Sequence, residues 1–403
     1  MINKFTKISC FVVAVILVLT LTLLLSCKAE AAETEETAEA EVVETEETAE
    51  AEEVAEEEVA EADEAVEALR EAVGYDWNPT DPSEWVVTTS YKKDPPYTIA
   101  LSTNHMAVTW MEIYKAEMEE ELEQYGNDIA EFIHVDAGGD IPTQIANIED
   151  LISRKVDAII IDPASPTAIV PAVEKAFNAG IVTIVNKSGI NTTNYTAFQN
   201  NDEVQFGQSG AQWLVDQLGE KGGVVLGLRG IPGYGVEIER WTGGQSVFSQ
   251  HPEIQLFAEY AEWSYDKAKE VSKALIAAHP DFVGIWSEGG QMSRAMVDAM
   301  VEAGLNPADY PHAAEDDNGF CKLALEYGIN ACATGKPVWL SRLAVRAALD
   351  ALRGVTVEKF VMVPSPFYGP DELASIVNPE VSDLSWLTTT LSDEEINAMF
   401  GGR

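Results

Sequence analysis

The chain has 403 residues, a hydrophobic content of 46% and a formal net charge of −43, from 25 basic and 68 acidic residues. This length suggests two or three domains, and the hydrophobic content suits large buried cores. The charge excludes a nucleic-acid binder, because such proteins need surfaces rich in Lys and Arg to neutralise phosphates. The charge is also uneven: residues 28–73 carry 20 acidic and 2 basic residues.

The N-terminal segment has the features of an export signal. Two lysines within the first seven residues precede an apolar run over 8–25, which is followed by Ser26 and Cys27. This order is typical of a signal peptide, although 18 apolar residues could also form an uncleaved anchor. The cysteine after Ser26 resembles the lipobox of bacterial lipoproteins, which implies removal of residues 1–26 and acylation of Cys27. Either way, the rest of the chain is predicted to be extracytoplasmic and anchored to a bacterial membrane, in the periplasm or at the cell surface.

The next tract, 27–73, consists almost entirely of Ala, Glu, Thr and Val, and the string ETEETAEAE occurs at 33–41 and again at 44–52. Neighbouring like charges repel and no wide apolar face is available, so the composition predicts a disordered, solvated tether. The eleven-residue step could alternatively support a coiled coil. Residues 74–96 are interrupted by prolines and form a lead-in to the folded part.

From residue 97 onward, short β-rich runs alternate with amphipathic stretches of helical length. Near-continuous apolar strands separated by helices predict parallel sheets covered on both faces. Two such series predict an α/β fold of two doubly wound parallel-sheet lobes, with a ligand cleft where the carboxyl ends of the strands face each other. The predicted strands are 98–102, 129–135, 157–162 and 181–185 in the first series, and 223–228, 254–260 and 282–286 in the second.

Seven segments in this part, in this order, resemble type I periplasmic binding proteins, the ribose- and galactose-binding kind that serves ABC importers. They are IALSTNHMAVTW (99–110), ANIEDLISRKVDAIIIDPAS (146–165), VNK (185–187), NDEVQFG (201–207), GYGVEIERWTGG (233–244), WSYDKA (263–268) and HPDFVGIWSEGGQMSRAMVDAM (279–300). The resemblance covers about two thirds of the chain.

The resemblance implies domain limits that the pattern of strands alone does not give. The chain is expected to cross between the lobes three times, near 201, 335 and 362. The N-lobe would comprise 97–200 plus 336–362. The C-lobe would comprise 201–335 plus 363–403, with a C-terminal extension that we expect to lie over the surface of a lobe.

A site for a polar, neutral ligand needs hydrogen-bonding groups and aromatic faces. Candidates from the first lobe follow its first and fourth strands. In the resembling family, a ligand-binding arginine stands at the position of Lys187. A helix-capping role for Thr109, packing of Trp110 on the sheet and a solvated Lys187 are the structural alternatives. The first-lobe candidates are Asn104, His105, Thr109, Trp110, Asn186 and Lys187.

In the second lobe, the resemblance implies that Trp263 covers the ring of a sugar and that Asp316 binds the ligand, unless Asp316 and its neighbour cap the helix beginning at 318. Gly289 stands where the family has an asparagine, so Glu288 or Gln291 could act instead. Arg240 lies two positions beyond the usual ligand arginine. We therefore interpret Arg240 as structural and regard Tyr234 and Glu237 as the nearer candidates, with Tyr234 retained in the predicted site.

Cys321 and Cys332 are the only cysteines beyond the signal and Cys27. An exported protein can keep a disulfide, so these two residues could be bonded, or they could remain as two buried free thiols.

Together these features predict a lipoprotein that captures a small neutral sugar or sugar-like molecule for the permease and ATPase of an ABC importer. Lys187 is the only cation that the sequence places in the cleft, which disfavours an anionic ligand. No cofactor, metal ion or nucleic acid is expected, because the histidines lack metal-ligand spacing and no phosphate-binding loop is present. The alternatives are a sensor that reports to a membrane receptor and a glycosidase that uses Glu288 with Asp316.

Overall fold

The computed structural model describes residues 84–401. The predicted signal peptide, the predicted acylation site Cys27 and the predicted acidic tether lie outside these residues. The described part forms two sheets of six strands and one pair of short strands. The prediction of two doubly wound α/β lobes is confirmed.

The N-lobe sheet is entirely parallel, and its strands are buried apolar runs such as AIII at 158–161. Helices cover both faces, as expected for strands that are apolar on both sides. Its strand order is β13 (Phe360–Val363), β6 (Ala197–Asn201), β5 (Val182–Asn186), β4 (Ala158–Ile161), β2 (Tyr97–Thr103) and β3 (Ile129–Asp136). Helices α1 (Thr109–Glu123) and α9 (Leu340–Arg353) pack on one face, and α2 (Ile141–Arg154) and α3 (Val170–Asn178) pack on the other.

The C-lobe sheet has the same construction except at one edge, where a short strand pairs antiparallel with its neighbour. Its strand order is β14 (Phe367–Tyr368), β11 (Ala331–Thr334), β10 (His312–Glu315), β9 (Phe282–Ser287), β7 (Gly223–Arg229) and β8 (Ile254–Tyr260). Helices α4 (Glu203–Leu218) and α5 (Gly235–Phe248) cover one face. The opposite face carries α6 (Tyr265–Ala278), α7 (Gly290–Glu302) and α8 (Asn318–Tyr327).

Three connections join the lobes: β6 to α4, β11 to α9, and β13 to β14. The start of the described chain is attached to the N-lobe, because β1 (Trp85–Val86) pairs antiparallel with β12 (Val357–Glu358), just before β13. Within residues 84–401, no helix combines the length and apolar character that crossing a membrane requires.

The C-terminal extension differs from its predicted place. Residues 363–403 were assigned to the C-lobe, with the extension over the surface of a lobe, and α10 (Pro370–Ile376) does pack on the C-lobe through Leu373. The last helix, α11 (Asp393–Phe400), instead packs on the N-lobe. Its buried side chains Ile396 and Phe400 belong to the same hydrophobic cluster as α1 and α9. The apolar positions of α11 thus complete the N-lobe core.

The cysteine pair is not bonded: Cys321 and Cys332 are both free and buried. Side chains alternate between the two faces of a strand, and Cys332 packs with Trp286 on the face opposite to Cys321. Cys321 instead packs with Ala331 and Ala333, the neighbours of Cys332 in β11. The disulfide alternative is therefore wrong, and the free-thiol alternative describes the pair.

A buried histidine in β10 predicts a specific loss of stability in acid. Burial lowers the pKa of His312 to about 3, from an ordinary value of 6.5. Between these values the unfolded chain binds a proton that the folded chain does not, so stability falls as the pH is lowered. Between pH 7 and pH 4.5, we expect the free energy of unfolding of His312→Leu to fall by about 2 kcal/mol less than that of the unmodified protein. Urea denaturation at both pH values measures this difference.

The partly exposed His251, which pairs with Glu253, offers a matched control. His251→Leu removes a histidine that keeps contact with solvent, and its free energy of unfolding is compared with that of the unmodified protein over the same interval. If His312→Leu loses as much stability between pH 7 and pH 4.5 as the unmodified protein does, His312 does not contribute to the loss of stability in acid.

Candidate functional site

A cavity lies between the two lobes, where the carboxyl ends of strands in both sheets meet. The space among its lining atoms is about 380 Å³, which includes solvent at its opening. Aromatic and charged side chains from both lobes form most of its lining, with four apolar or amide side chains between them. The lining residues are His105, Val108, Trp110, Met111, Lys187, Tyr234, Val236, Arg240, Trp263, Gln291, Glu315, Lys336 and Trp386.

Trp110 forms the aromatic wall on the N-lobe side. It lies in the first turn of α1, and its indole Nε1 donates to the carbonyl of Lys336 at 3.1 Å. The ring stacks on Tyr114 with 5.2 Å between centroids. The Tyr114 hydroxyl in turn donates to Asn186 Oδ1 at 2.5 Å. These contacts fix Trp110 in the cavity wall, where the ammonium groups of Lys187 and Lys336 lie 5.6 and 5.7 Å from its ring centroid.

Trp263 forms the corresponding wall on the C-lobe side. It precedes α6 in a left-handed backbone conformation, with φ of 49°, and its Nε1 donates to the carbonyl of Glu288 at 3.0 Å. Two glycines make room for the indole: a Cβ atom would lie 2.2 Å from the ring at Gly230 and 2.5 Å from it at Gly289. The glycine at the expected asparagine position therefore allows Trp263 to pack in this place.

A polar cluster joins the lobes across the cavity. Lys187 lies 3.1 Å from Asp162 Oδ2, an ion pair that is almost fully buried. Tyr234, from the C-lobe, donates its hydroxyl to Asp162 Oδ1 at 2.7 Å and accepts a hydrogen bond from Lys187. Burial and the nearby Asp162 carboxylate raise the pKa of Tyr234 well above its usual range, so the phenol stays neutral. Lys187 is therefore neither solvated nor unpaired.

A second charged cluster lies at the end of the cavity near the connections between the lobes. Lys336 contacts Glu203 and donates to Asn201 Oδ1 at 2.9 Å. Arg240 lies 2.7 Å from Glu203 and 2.8 Å from Glu315. Burial lowers the pKa of Lys336 to about 8. Lys187 was predicted to be the only cation in the cleft, and this was wrong, because Lys336 and Arg240 line the cavity as well.

His105 lies beside Tyr234 with an edge-to-face geometry and 6.1 Å between ring centroids. Burial, followed by the positive charge of Lys187, lowers the pKa of His105 to about 4. The imidazole is therefore neutral at physiological pH and can both donate and accept a hydrogen bond.

Six of the eleven predicted ligand-site residues line the cavity, and five do not. Those that line it are His105, Trp110, Lys187, Tyr234, Trp263 and Gln291. The other five, Asn104, Thr109, Asn186, Glu288 and Asp316, lie behind the lining.

These five residues hold the walls or the backbone behind them. The backbone N–H of Asn104 donates to Asp162 Oδ2 at 3.3 Å, and the Thr109 hydroxyl accepts from Trp386 Nε1 at 3.3 Å. Asn186 supports Tyr114, as described above. Glu288 accepts from the Gly230 amide at 2.7 Å.

Asp316 is fully buried, and its backbone carbonyl accepts from the amide of Leu387 in the C-terminal extension at 3.1 Å. Desolvation and the neighbouring Glu315 raise the pKa of Asp316 well above its usual range. Its neighbour Asp317 caps α8 by accepting from the Phe320 amide at 2.7 Å. Of these two aspartates, Asp317 is therefore the one that caps α8.

The two carboxylates of the glycosidase alternative do not face the cavity together, because neither Glu288 nor Asp316 lines it. No group of three or more potential metal ligands occurs within residues 84–401.

A profile of the family described as "Periplasmic binding protein domain" matches residues 99–356. This match covers more than half of the chain, so the chain belongs to the periplasmic binding protein family. The resemblance inferred from its seven sequence segments is thereby confirmed. The family is extracytoplasmic and binds solutes, in agreement with the prediction of a binding protein rather than an enzyme.

Two characterised relatives show the extent of the similarity. The ribose import binding protein of Bacillus subtilis (strain 168) is 26% identical over 285 residues, which cover 70% of this chain and 91% of the relative. The xylitol-binding protein of Mycolicibacterium smegmatis is 30% identical over 198 residues, which cover 48% of this chain and 56% of the relative.

Solved structures share the fold. The periplasmic binding protein of the arabinose ABC transporter from Shewanella sp. ANA-3, bound to L-arabinofuranose, aligns with a TM-score of 0.64 and 23% identity, over 69% of this chain and 93% of that one. The fructose-binding periplasmic domain of a hybrid two-component system aligns with a TM-score of 0.63 and 19% identity, over 69% and 92% of the two chains.

Proposed function

We propose that this protein is a lipoprotein that captures a small neutral sugar or sugar-like molecule between its lobes and delivers it to an ABC importer. The observation that carries the proposal is the pair of tryptophans, Trp110 from one lobe and Trp263 from the other, which line one cavity. Aromatic faces cover the C–H surfaces of a sugar, while neighbouring polar groups bind its hydroxyls.

The charges around the cavity support a neutral ligand. Each of its three cationic side chains contacts a carboxylate: Lys187 contacts Asp162, while Lys336 and Arg240 contact Glu203. An anionic ligand would compete with these carboxylates for the cations and would approach a strongly acidic protein. A sugar hydroxyl can join such pairs without displacing either charge, because it both donates and accepts hydrogen bonds.

The relatives support the same class of ligand. The names of the proteins compared above refer to ribose and xylitol, and one solved structure holds arabinofuranose. Within this class, the proposed contacts are Trp110 and Trp263 on opposite sides of the ligand, with His105, Lys187, Tyr234 and Gln291 as polar partners.

A ligand screen tests the proposal. Thermal unfolding is measured with D-ribose, L-arabinose, D-allose, xylitol and myo-inositol, and with L-leucine, adenosine and D-glucuronate as a comparison set. We expect at least one neutral sugar or polyol to raise the melting temperature, because a ligand that binds only the folded state stabilises it. Calorimetric titration then gives its affinity. A rise with only the amino acid, the nucleoside or the uronate would refute the sugar assignment.

A sensor is the second candidate, favoured by the likeness of the fold to the fructose-binding domain of a two-component system. Deleting the gene separates the two functions. A transport protein is expected to be required for uptake of the radiolabelled ligand. A sensor would be required for the transcriptional response to the ligand but not for the activity of an importer that is already expressed.

The anchoring of the proposed lipoprotein gives a separate prediction. We expect cleavage before Cys27 and a diacylglyceryl thioether on that residue, because Ser26 and Cys27 follow the apolar run directly. Intact-mass measurement of protein from the membrane fraction detects both changes. Cys27→Ser should prevent acylation and acylation-dependent cleavage. If the protein isolated from the membrane fraction begins at Met1, the predicted cleavage is wrong. If a cleaved Cys27→Ser protein is still anchored normally, the lipid is not the anchor.

A further inference from the structure

The C-terminal extension first attaches to the C-lobe. The amide side chain of Asn318, at the start of α8, donates to the carbonyls of Asn378, Val381 and Ser382 at 3.1–3.3 Å. The amide of Leu387 donates to the carbonyl of Asp316 at 3.1 Å. The backbone of the extension is therefore bound to the C-lobe up to residue 387, while its side chains Val381 and Trp386 already pack in the N-lobe cluster.

One residue later, the same segment is bound to the N-lobe side. The Thr388 hydroxyl donates to the carbonyl of Lys336 at 2.9 Å, and the Thr389 hydroxyl donates to Glu117, on α1, at 2.8 Å. The buried side chains of α11 then complete the N-lobe core. The extension thus crosses between the lobes, in addition to the three connections already described.

This fourth crossing lies against the other connections. A Cβ atom at Gly335 would lie 2.8 Å from the Thr388 side chain, so the two segments are in close contact. The Gly335 amide also donates to the carbonyl of Pro366, in the connection between β13 and β14, at 2.7 Å. Any hinge motion at these connections must therefore also bend the chain near Thr388.

Trp386 lies immediately before this crossing and is the one lining residue that the extension supplies to the cavity. Its backbone forms a bridge with Asp317 of the C-lobe, while its indole Nε1 donates to Thr109 of the N-lobe at 3.3 Å. The ring is thereby fixed from both lobes. It lies outside the 99–356 region that matches the family profile.

We propose that Trp386 contacts the bound ligand, and that the C-terminal extension is thus part of the binding site. The inference rests on the proposed function, which it deepens by adding an aromatic contact from outside the family domain. Because the ring is held by both lobes, its position depends on their closure. A ligand that fits the closed cavity will therefore bind in contact with all three tryptophans.

The test compares three variants of the full chain by calorimetric titration with the neutral sugar that binds most tightly in the screen above. Trp386→Leu removes the aromatic face, and we expect its Kd to rise at least tenfold. Trp386→Phe keeps an aromatic face but loses the hydrogen bond to Thr109, and we expect a rise of about threefold or less. Ile396→Ala is the control, because Ile396 is buried in the same cluster but does not line the cavity.

Thermal unfolding separates stability from binding. Trp386→Leu and Ile396→Ala should both lower the melting temperature, but of these two variants only Trp386→Leu should weaken binding by more than twofold. Equal affinity of Trp386→Leu and the unmodified protein would overturn this inference and leave the proposed function intact. A parallel loss of affinity in Ile396→Ala would also overturn it, because the effect would then be one of packing. An unmodified protein that binds none of the sugars or polyols would overturn both proposals.

Discussion

Replacing Arg240 with methionine is expected to lower the free energy of unfolding by about 3–5 kcal/mol, because it leaves buried carboxylates without their cation. The Arg240 side chain is 1% exposed and contacts Glu203 at 2.7 Å and Glu315 at 2.8 Å. Glu203 retains Lys336 as a partner. Glu315 is therefore the carboxylate that mainly lacks a cation in the variant, and burial already raises its pKa while Arg240 is present.

The effect should depend on pH in a defined direction. Without Arg240, the folded-state pKa of Glu315 rises further above its value in the unfolded chain. A carboxyl group of this kind binds more protons in the folded state, so its contribution to stability falls as the pH rises through that interval. We therefore expect Arg240→Met to lower the free energy of unfolding by more at pH 8 than at pH 5. Urea denaturation at the two pH values measures it.

Two further variants make this prediction specific. Arg154→Ala removes an arginine from exposed ion pairs with Glu131 and Asp150, and it should change stability by less than about 1 kcal/mol. Adding Glu315→Gln to Arg240→Met should recover part of the lost stability, since no charge then remains unpaired at that position. A double variant that is no more stable than Arg240→Met would show that the loss arises elsewhere.

Replacing Trp263 with alanine is expected to weaken binding of the sugar by about 2 kcal/mol or more, as for a central aromatic contact. This corresponds to about a thirtyfold rise in Kd. The indole lines the cavity, and the rest of its surface is taken up by Gly230, Gly289 and Tyr234. Truncation would therefore remove the C-lobe wall, and none of these neighbours can replace it. Calorimetric titration measures the change.

Trp241 provides the matched control within the same lobe. The guanidinium carbon of Arg229 lies 3.8 Å from the centroid of the Trp241 ring. Trp241 does not line the cavity. Trp241→Ala should leave the affinity within about twofold, and Trp263→Phe should lose less affinity than Trp263→Ala. Equal weakening by Trp263→Ala and Trp241→Ala would indicate a general effect on the C-lobe rather than loss of a ligand contact.

The lobes could be predicted from the sequence because their signal is local. Runs such as AIII at 158–161 are apolar on both faces, and each is followed by a helix of suitable length. The place of the C-terminal extension could not be predicted in this way. Its few apolar residues, such as Ile396 and Phe400, fit the surface of either lobe by pattern alone. Only the tertiary structure decides which core they complete.

The site was predictable where a side chain follows a strand directly, as Lys187 follows β5. It was not predictable where the side chain comes from a connection or from a distant helix. Lys336 lies in a connection between the lobes, and its partner Glu203 lies 133 residues away in the sequence. Asp162 follows β4 and could have been identified by the rule that found Lys187. Trp386 has no such signal, because it follows no strand and forms only an isolated backbone bridge with Asp317, in a distant part of the chain.

The pairing of β1 with β12 has a mechanical consequence. The carbonyl of Glu84 accepts from the amide of Lys359 at 2.8 Å, and Lys359 leads directly into the edge strand of the N-lobe sheet. Any pull on the chain ahead of Glu84 is therefore transmitted to the N-lobe first. Force applied at this end of the chain would thus load the edge of the N-lobe sheet and would reach the C-lobe only through the segments that cross between the lobes.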